Sequence, residues 1–468
     1  MSQVALQNWK GSITYYANSV ELVEGVDDII RIVKDPEQYP SPVRVKGSHH
    51  STTRCIVADQ GTVVDVTKLN RILDIDAASR TITMQAGVLH IDAARELERH
   101  GLQFYVNVEL GNLTVGSGAC GGTKDASYFS ADDDQFEFGQ VASYVVGIKA
   151  VLPNGELLEV TEADDGLIQA MRSSYGMLGV IYEVTYRVKH IKPLAVEHRR
   201  YHVDEFAERL GELIAGKRSM MLYLFPFLDS VVVEYRYDGV GPMASNSWQW
   251  RLRNWVWKTG SPSFGKIVSL LVPFRKLRSW IFDTYNRLSQ WVIIRVIRDC
   301  NASPADQIIR YPETAGFSSY TFSIWAFPLE EYPRIIRAYF KFCKDYFHDN
   351  GYRCDLLNVG YFIAQDKRSL FSYTRHGPAV TLDPVSTGLE GWSEFIIAYN
   401  EFCIRHGGTP LFNQTYGITP QQAQQAFVSE IKTFLEFRRK YDPDNRFYSD
   451  YFRRLFEPER YASLTTEN

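Results

Sequence analysis

The sequence predicts an α+β fold in two regions: many short strands threaded with helices first, then an antiparallel sheet flanked by helices. Three observations predict it. The 468 residues are too many for a single compact core. Short β-branched runs alternate with amphipathic stretches up to about residue 190. No Gly-x-Gly-x-x-Gly follows the first strand, which excludes a doubly wound dinucleotide fold. With 45% hydrophobic and 23% charged residues and no repeat or low-complexity run, the chain also lies outside the disordered and solenoid classes.

In the first region Ile13–Val20 reads as a strand and Gly25–Lys34 as an amphipathic helix. Val43–Lys46, Thr62–Asp65 and Thr81–Gln85 are short β-branched strands, and Ile91–His100 repeats apolar positions at helical spacing. Ala142–Val151 and Leu157–Thr161 flank Pro153-Asn154-Gly155, an Asn-Gly hairpin turn, and Val180–Val188 closes the region as a strand. From about residue 195, Met220–Phe225, Ser230–Tyr237, Tyr320–Phe327, Leu356–Ala364 and Ala379–Asp383 alternate like strands. Pro333–His348 and Trp392–His406 are helical between them. Pro420–Tyr441 is helical until Asp442-Pro443-Asp444 stops it. The expected organisation is residues 1–192, a second domain over 193–418, and a segment 419–468 that returns to the first.

Three glycine-rich stretches punctuate the first region. Val43-Arg44-Val45-Lys46-Gly47-Ser48-His49-His50-Ser51 sets a strand before a small-residue turn whose backbone N–H groups can point at phosphate oxygens. A polar surface turn would look the same. Residues 111–123 hold five glycines, more than a turn needs, as suits backbone lying against a large flat ligand. Tyr175-Gly176-Met177-Leu178-Gly179-Val180-Ile181 leads from a helix into a strand.

These stretches, in this order and spacing and with the hairpin at 151–156, resemble the PCMH-type FAD-binding domain of the vanillyl-alcohol-oxidase family. The resemblance is nearest to the aldonolactone oxidases and the decaprenylphosphoryl-ribose oxidase. It covers about residues 10–190 and, more weakly, Tyr441–Leu455. It implies FAD, with Gly47, Ser48, His49 and Ser51 at the pyrophosphate, Thr114, Val115, Gly116, Ala119, Cys120 and Gly122 along the flavin, and Arg44 also among the cofactor-binding residues. Val180 and Ile181 would touch the ring or ribityl chain. In many relatives the histidine matching His50 is joined to the flavin 8α-methyl group, which implies a covalent link here. Two departures stand out. His49 occupies a position where relatives usually have glycine, so either histidine could face the flavin. The second linking cysteine of some relatives is absent near Asn112–Leu113, and Cys120 reads as a packing residue.

The resemblance further implies hydride transfer from a hydroxyl-bearing carbon to the flavin, with a base for the hydroxyl proton. A C=C reductase or dehydrogenase of the sterol-reductase type, or a non-catalytic membrane-recruited flavoprotein, are the alternatives. Relatives keep a lysine shortly after a Gly-Gly or Pro-His-Trp segment, near the site of developing negative charge. Here the chain reads Gly407-Gly408 and then Asn413-Gln414, so an amide occupies that place. Lys367, Arg368 and Arg375 with His376 are the candidates for the missing cation. Tyr361, Gln365 and Asp383 lie on or beside strands of the second domain, where core packing and turn formation compete with a catalytic role.

Residues 245–298 carry ten Lys and Arg against Asp283 alone, a charge of +9 that leaves about −13 for the rest of a chain whose net charge is −4. Six of the nine tryptophans, 248, 250, 255, 257, 280 and 291, lie in the same window. Its apolar runs are too short to span a bilayer, but tryptophan with arginine suits the headgroup layer. A membrane-docking element or the mouth for a hydrophobic or lipid-linked substrate is expected, against a packed helical hairpin or an oligomer interface. The acidic remainder argues against nucleic acid. The six cysteines show neither CxxC pairs nor metal-ligand spacing, so no metal is expected and a cytoplasmic setting, peripheral to the inner face of a membrane, fits.

Overall fold

The computed structural model describes residues 3–312 and 316–466. In the first region a three-stranded parallel sheet places Thr62–Asp65 between Ser19–Leu22 and Val43–Lys46. Its central strand is buried along its whole length, as a parallel strand covered on both faces must be. Helix Val26–Lys34 covers the sheet with Ile29, Ile32 and Val33. Its acidic first turn and basic last turn complement the helix dipole.

Beside it lies a six-stranded sheet in the order Leu157–Thr161, Val145–Val151, Val180–His190, Thr81–Gln85 and Ile72–Asp76, with Leu102–Phe104 paired to the far end of Val180–His190. The expected hairpin forms, and Gly155 takes a φ of +83° in its turn. Residues 111–123 contain a helix, Val115–Cys120, hidden from the sequence because its glycines argue for a loop.

The second region is a seven-stranded antiparallel sheet: Leu194–His202, Ser230–Asp238, Ser219–Phe225, Asn358–Ile363, Ala379–Leu382, Trp325–Pro328 and Thr409–Pro410. Helices Val203–Ala215, Tyr332–Asn350 and Trp392–Arg405 bury one face. Strand Ser219–Phe225 shows the two-residue period that separates the faces. Met220, Leu222 and Leu224 enter the helix-covered core, while Met221, Tyr223 and Phe225 point the other way, over the first region.

The expected elements change at several points. Ile13–Val20 is divided between Thr14–Ala17, paired with Val4–Gln7, and Ser19–Leu22 of the parallel sheet. The run Tyr320–Phe327 is two strands, because Thr321–Phe322 pairs Val385–Ser386 whereas Trp325–Pro328 pairs Ala379–Leu382. Pro420–Tyr441 breaks at buried Phe427, whose φ of −139° and ψ of 42° leave the helix. Strand Leu194–His202 escaped notice because His198, Arg199 and Arg200 mask its alternation. Helix Val428–Tyr441 and helix Asp450–Phe456 pack Phe434, Phe452 and Leu455 with Met171 and Leu178 of the first region. Arg446 locks the same segment by donating to the carbonyls of Ile32 and Val33.

The basic, tryptophan-rich insertion is helical: Trp248–Trp255, a wide turn Val256–Gly260, Ser261–Leu271 and the long helix Arg275–Ile297. Trp250, Ile293 and Ile297 pack it against Leu194 and Val196. Among the described residues, no helix is long and apolar enough to cross a membrane.

Candidate active site

A cavity of about 290 Å³ opens where the three glycine-rich stretches meet the uncovered face of the seven-stranded sheet. Its floor combines residues of the segments 44–51, 108–125 and 175–181. Gly47 comes so close to the second stretch that a Cβ there would sit 2.4 Å from Thr114 Oγ1. Arg44, fully buried, ties the floor together by donating to the carbonyls of Cys55 at 2.8 Å, Tyr175 at 2.5 Å and Phe447 at 2.9 Å. Burial pulls its guanidinium below the usual pKa.

Helix Val115–Cys120 divides its faces by the 3.6-residue period. Gly116, Ser117 and Cys120 line the cavity, whereas Val115 and Ala119 belong to the core. Burial pushes the Cys120 thiol up to about 11, so it is an uncharged packing group.

The two adjacent histidines differ. His49 has a φ of +53°, the left-handed region where glycine is the natural occupant. Its ring nitrogens are taken by the Tyr15 hydroxyl at 3.2 Å and the Gln7 carbonyl at 3.3 Å. His50 stacks on Trp9, with ring centroids 5.3 Å apart, and its Nδ1 is buried without a protein partner. Burial lowers its pKa to about 4, so the imidazole is neutral at pH 7.

Buried polar atoms seldom lack partners. Here Arg44 Nε, His50 Nδ1, Trp257 Nε1, Asp383 Oδ1 and Asn413 Oδ1 do, and all five residues line this cavity. A glycine-built floor with several unpaired polar atoms around it fits a large ligand with both flat and polar parts, as FAD is.

Above the floor stands an ion pair of which the sequence-based candidates included Asp383 but not Lys124. Lys124, directly after the glycine-rich stretch, donates to Asp383 Oδ2 at 2.9 Å, and the two side chains are 4% and 3% exposed. The Lys124 ammonium lies 3.7 Å from the centre of the Tyr361 ring. Burial raises the Asp383 carboxyl above the usual range against the pull of Lys124.

Around this pair, Arg236 holds Asp125 at 3.0 Å and Glu234 at 2.7 Å. Glu234 also accepts from Tyr223 and pairs with His198, both at 2.9 Å. Burial opposes ionisation of Glu234, but Arg236 and His198 outweigh it and hold its carboxyl well below the usual range. Arg253, from the insertion, pairs with Glu109. Trp257 from the insertion stacks on Tyr223, centroids 5.6 Å apart. Phe322, Leu356, Leu357 and Val385 supply the apolar wall.

Of the expected site residues, Arg44, Gly47, Ser48, His49, His50, Ser51, Thr114, Gly116, Cys120, Ile181, Tyr361, Asn413 and Gln414 line the cavity. Val115, Ala119 and Val180 point into hydrophobic cores. Gly122 packs between the Tyr175 hydroxyl and Asn413 outside the lining, while its neighbour Gly121 is part of it. Arg375 and His376 lie elsewhere, against Glu430, with His376 80% exposed. Arg368 pairs with Glu162, and Lys367 is exposed. Lys124, which is not among these candidates, lines the cavity instead, and its one sequence signal is its position immediately after Gly121-Gly122-Thr123.

A glycine-built floor roofed by an antiparallel sheet is the arrangement of an FAD-dependent oxidoreductase. Residues 18–161 match the FAD binding domain family model, and residues 379–455 match that of D-arabinono-1,4-lactone oxidase. L-gulonolactone oxidase of Scyliorhinus torazame is 24% identical over 96% of this chain and 98% of its own. L-gulono-1,4-lactone dehydrogenase of Mycobacterium tuberculosis is 26% identical over 52% of this chain and 54% of its own. Among solved structures, cholesterol oxidase from Brevibacterium sterolicum superposes with a TM-score of 0.75 at 15% identity, covering 97% of each chain. 6-Hydroxy-D-nicotine oxidase from Arthrobacter nicotinovorans gives 0.59 at 15% identity, covering 94% of this chain and 93% of its own.

Proposed function

We propose that the protein oxidises a CH–OH carbon in an amphipathic, lipid-linked substrate, with the hydroxylated head at Lys124 and Asp383. The observation that carries this reading is Asp383: Lys124 holds its Oδ2, while Oδ1 has no protein partner and the residue lines the cavity. Bound FAD supplies the hydride acceptor. Asp383 Oδ1 takes the hydroxyl proton, and Lys124 keeps the carboxylate ionised against its burial. Gln414 and Asn413 offer amide donors and acceptors to the head group. The apolar remainder lies along Phe322, Leu356, Leu357 and Trp257, a wall that a free sugar acid lactone would leave largely unused.

A bare aldonolactone is the second reading. It is favoured by the names of the relatives and by the polar lining from Glu109, Asp125 and Arg253. Anaerobic flavin bleaching separates the two. L-gulono-1,4-lactone and a polyol carried on an alkyl or prenyl tail are offered to the same enzyme. Faster bleaching by the tailed compound supports the lipid-linked reading, and faster bleaching by the lactone replaces it. Bleaching that persists undiminished in Asp383→Asn would overturn the assigned base.

His50 is the residue proposed for a covalent flavin bond, because its neutral Nδ1 is unpartnered while both nitrogens of His49 are engaged. Acid precipitation of wild-type protein is expected to leave the yellow colour in the pellet. His50→Ala is expected to release it and His49→Ala to retain it. Colour in the wild-type supernatant would refute the bond.

A further inference from the structure

We propose that the helical insertion docks the enzyme onto an anionic lipid bilayer through the turn between Ser261–Leu271 and Arg275–Ile297. At that turn Leu270, Leu271 and Phe274 are 76%, 74% and 72% exposed, three large apolar side chains held in water. The stripe continues along the long helix through Leu277, Trp280, Leu288 and Trp291, all exposed and spaced to share one side. The opposite side buries Phe282, Asn286, Gln290, Ile293 and Ile297. A surface helix of a water-facing protein turns its polar residues outward. This helix keeps Asn286 and Gln290 inside while leaving two tryptophans and two leucines outside, so its outer face is built for something less polar than water. Scattered exposed apolar residues need no explanation, but a contiguous strip of this kind marks an interaction surface.

Charge selects the occupant. Arg275, Lys276, Arg278, Arg287 and Arg295 surround the strip, and among the described residues none has a carboxylate within salt-bridge distance. Cations left unpaired around exposed leucine, phenylalanine and tryptophan match an interface where apolar groups enter the acyl boundary and anionic headgroups meet the charges. A second copy of the chain would bring two such basic faces together, which like-charge repulsion opposes. The remainder, at about −13, is repelled by the same lipid surface, so docking has a defined orientation. The insertion also places Arg253, Trp257 and Ser261 in the cavity wall, so docking brings that wall to the bilayer. Delivery of substrate from the membrane rests on the lipid-linked reading above; docking itself does not.

The test is flotation of the FAD-loaded enzyme with vesicles of phosphatidylcholine alone or with about one third phosphatidylglycerol. Wild type is expected to float with the anionic vesicles and stay behind with the neutral ones. The pairs Leu271→Asp with Phe274→Asp, and Arg275→Glu with Lys276→Glu, are each expected to lower the bound fraction about tenfold or more, with flavin absorbance retained. Wild type that ignores anionic vesicles overturns the proposal. So does a dimer in sedimentation velocity that dissociates with Leu271→Asp and Phe274→Asp, since the strip is then a contact between copies. No substrate enters this assay, so its failure leaves the oxidation reading untouched, and failure to bleach leaves docking standing.

Discussion

Lys124 and Asp383 are 259 positions apart in sequence and 2.9 Å apart in space, and the proton-transfer chemistry proposed here depends on that contact. Activity requires Asp383 as the carboxylate, so it rises with pH through the group's pKa and is lost as pH falls below it. Because burial raises that pKa, the acidic limb of the rate profile is expected above the range of an ordinary carboxylate. Asp383→Asn should remove the limb and lower kcat by about 10²–10⁴ with flavin content unchanged. Lys124→Met removes the counter-charge, so it should push the limb further up; a pH profile identical to wild type would show that the pair plays no part. His49 illustrates a residue readable only in part. Its departure from the glycine of relatives is plain in the sequence, but the positive φ that makes glycine natural there, and the Tyr15 and Gln7 contacts that anchor the histidine, belong to the folded chain.

Among the elements, strand Ser230–Asp238 joins two functions through its alternation. Val231, Val233 and Tyr235 enter the helix-covered core, while Glu234 and Arg236 turn to the opposite face, where Arg236 donates to both Glu234 and Asp125. Removing Arg236 strands two buried carboxylates, so Arg236→Met is expected to cost about 3–5 kcal/mol in urea unfolding. A loss below about 1 kcal/mol, the size of an exposed pair, would mean that water screens the network. Most strands here were visible in the sequence because one buried face leaves a two-residue period. Helix Val115–Cys120 was not, since its glycines serve close approach to Ala86 and the cavity rather than helix propensity.

For the whole molecule, FAD is expected to act as a structural strut, because the cavity floor is assembled from three separated segments and clamped by Arg44 to the returning C-terminal segment at Phe447. In the His50→Ala background, where the flavin can dissociate, FAD at about a hundred times its Kd should stabilise the fold by about 2.7 kcal/mol. Thermal unfolding with and without FAD measures this, and an unchanged Tm would place the flavin outside the cooperative core.

The sequence by itself determined the class. Glycine spacing is a local property, readable because only glycine allows backbone to approach as Gly47 approaches Thr114, and strand periodicity shows which residues can share a face. The tertiary structure decided which residues meet. Arg375 and His376 had suitable chemistry but pair with Glu430 away from the cavity, whereas Lys124 reaches Asp383 because the seven-stranded sheet is laid over the glycine-rich floor. The insertion divides in the same way. Its charge and tryptophans are composition, but which of them are buried with Trp250 and which stand in water with Trp280 depends on the side of each helix that finds the sheet. A pairing across hundreds of residues leaves no local period or spacing in the chain, so only the packing of distant elements can decide it.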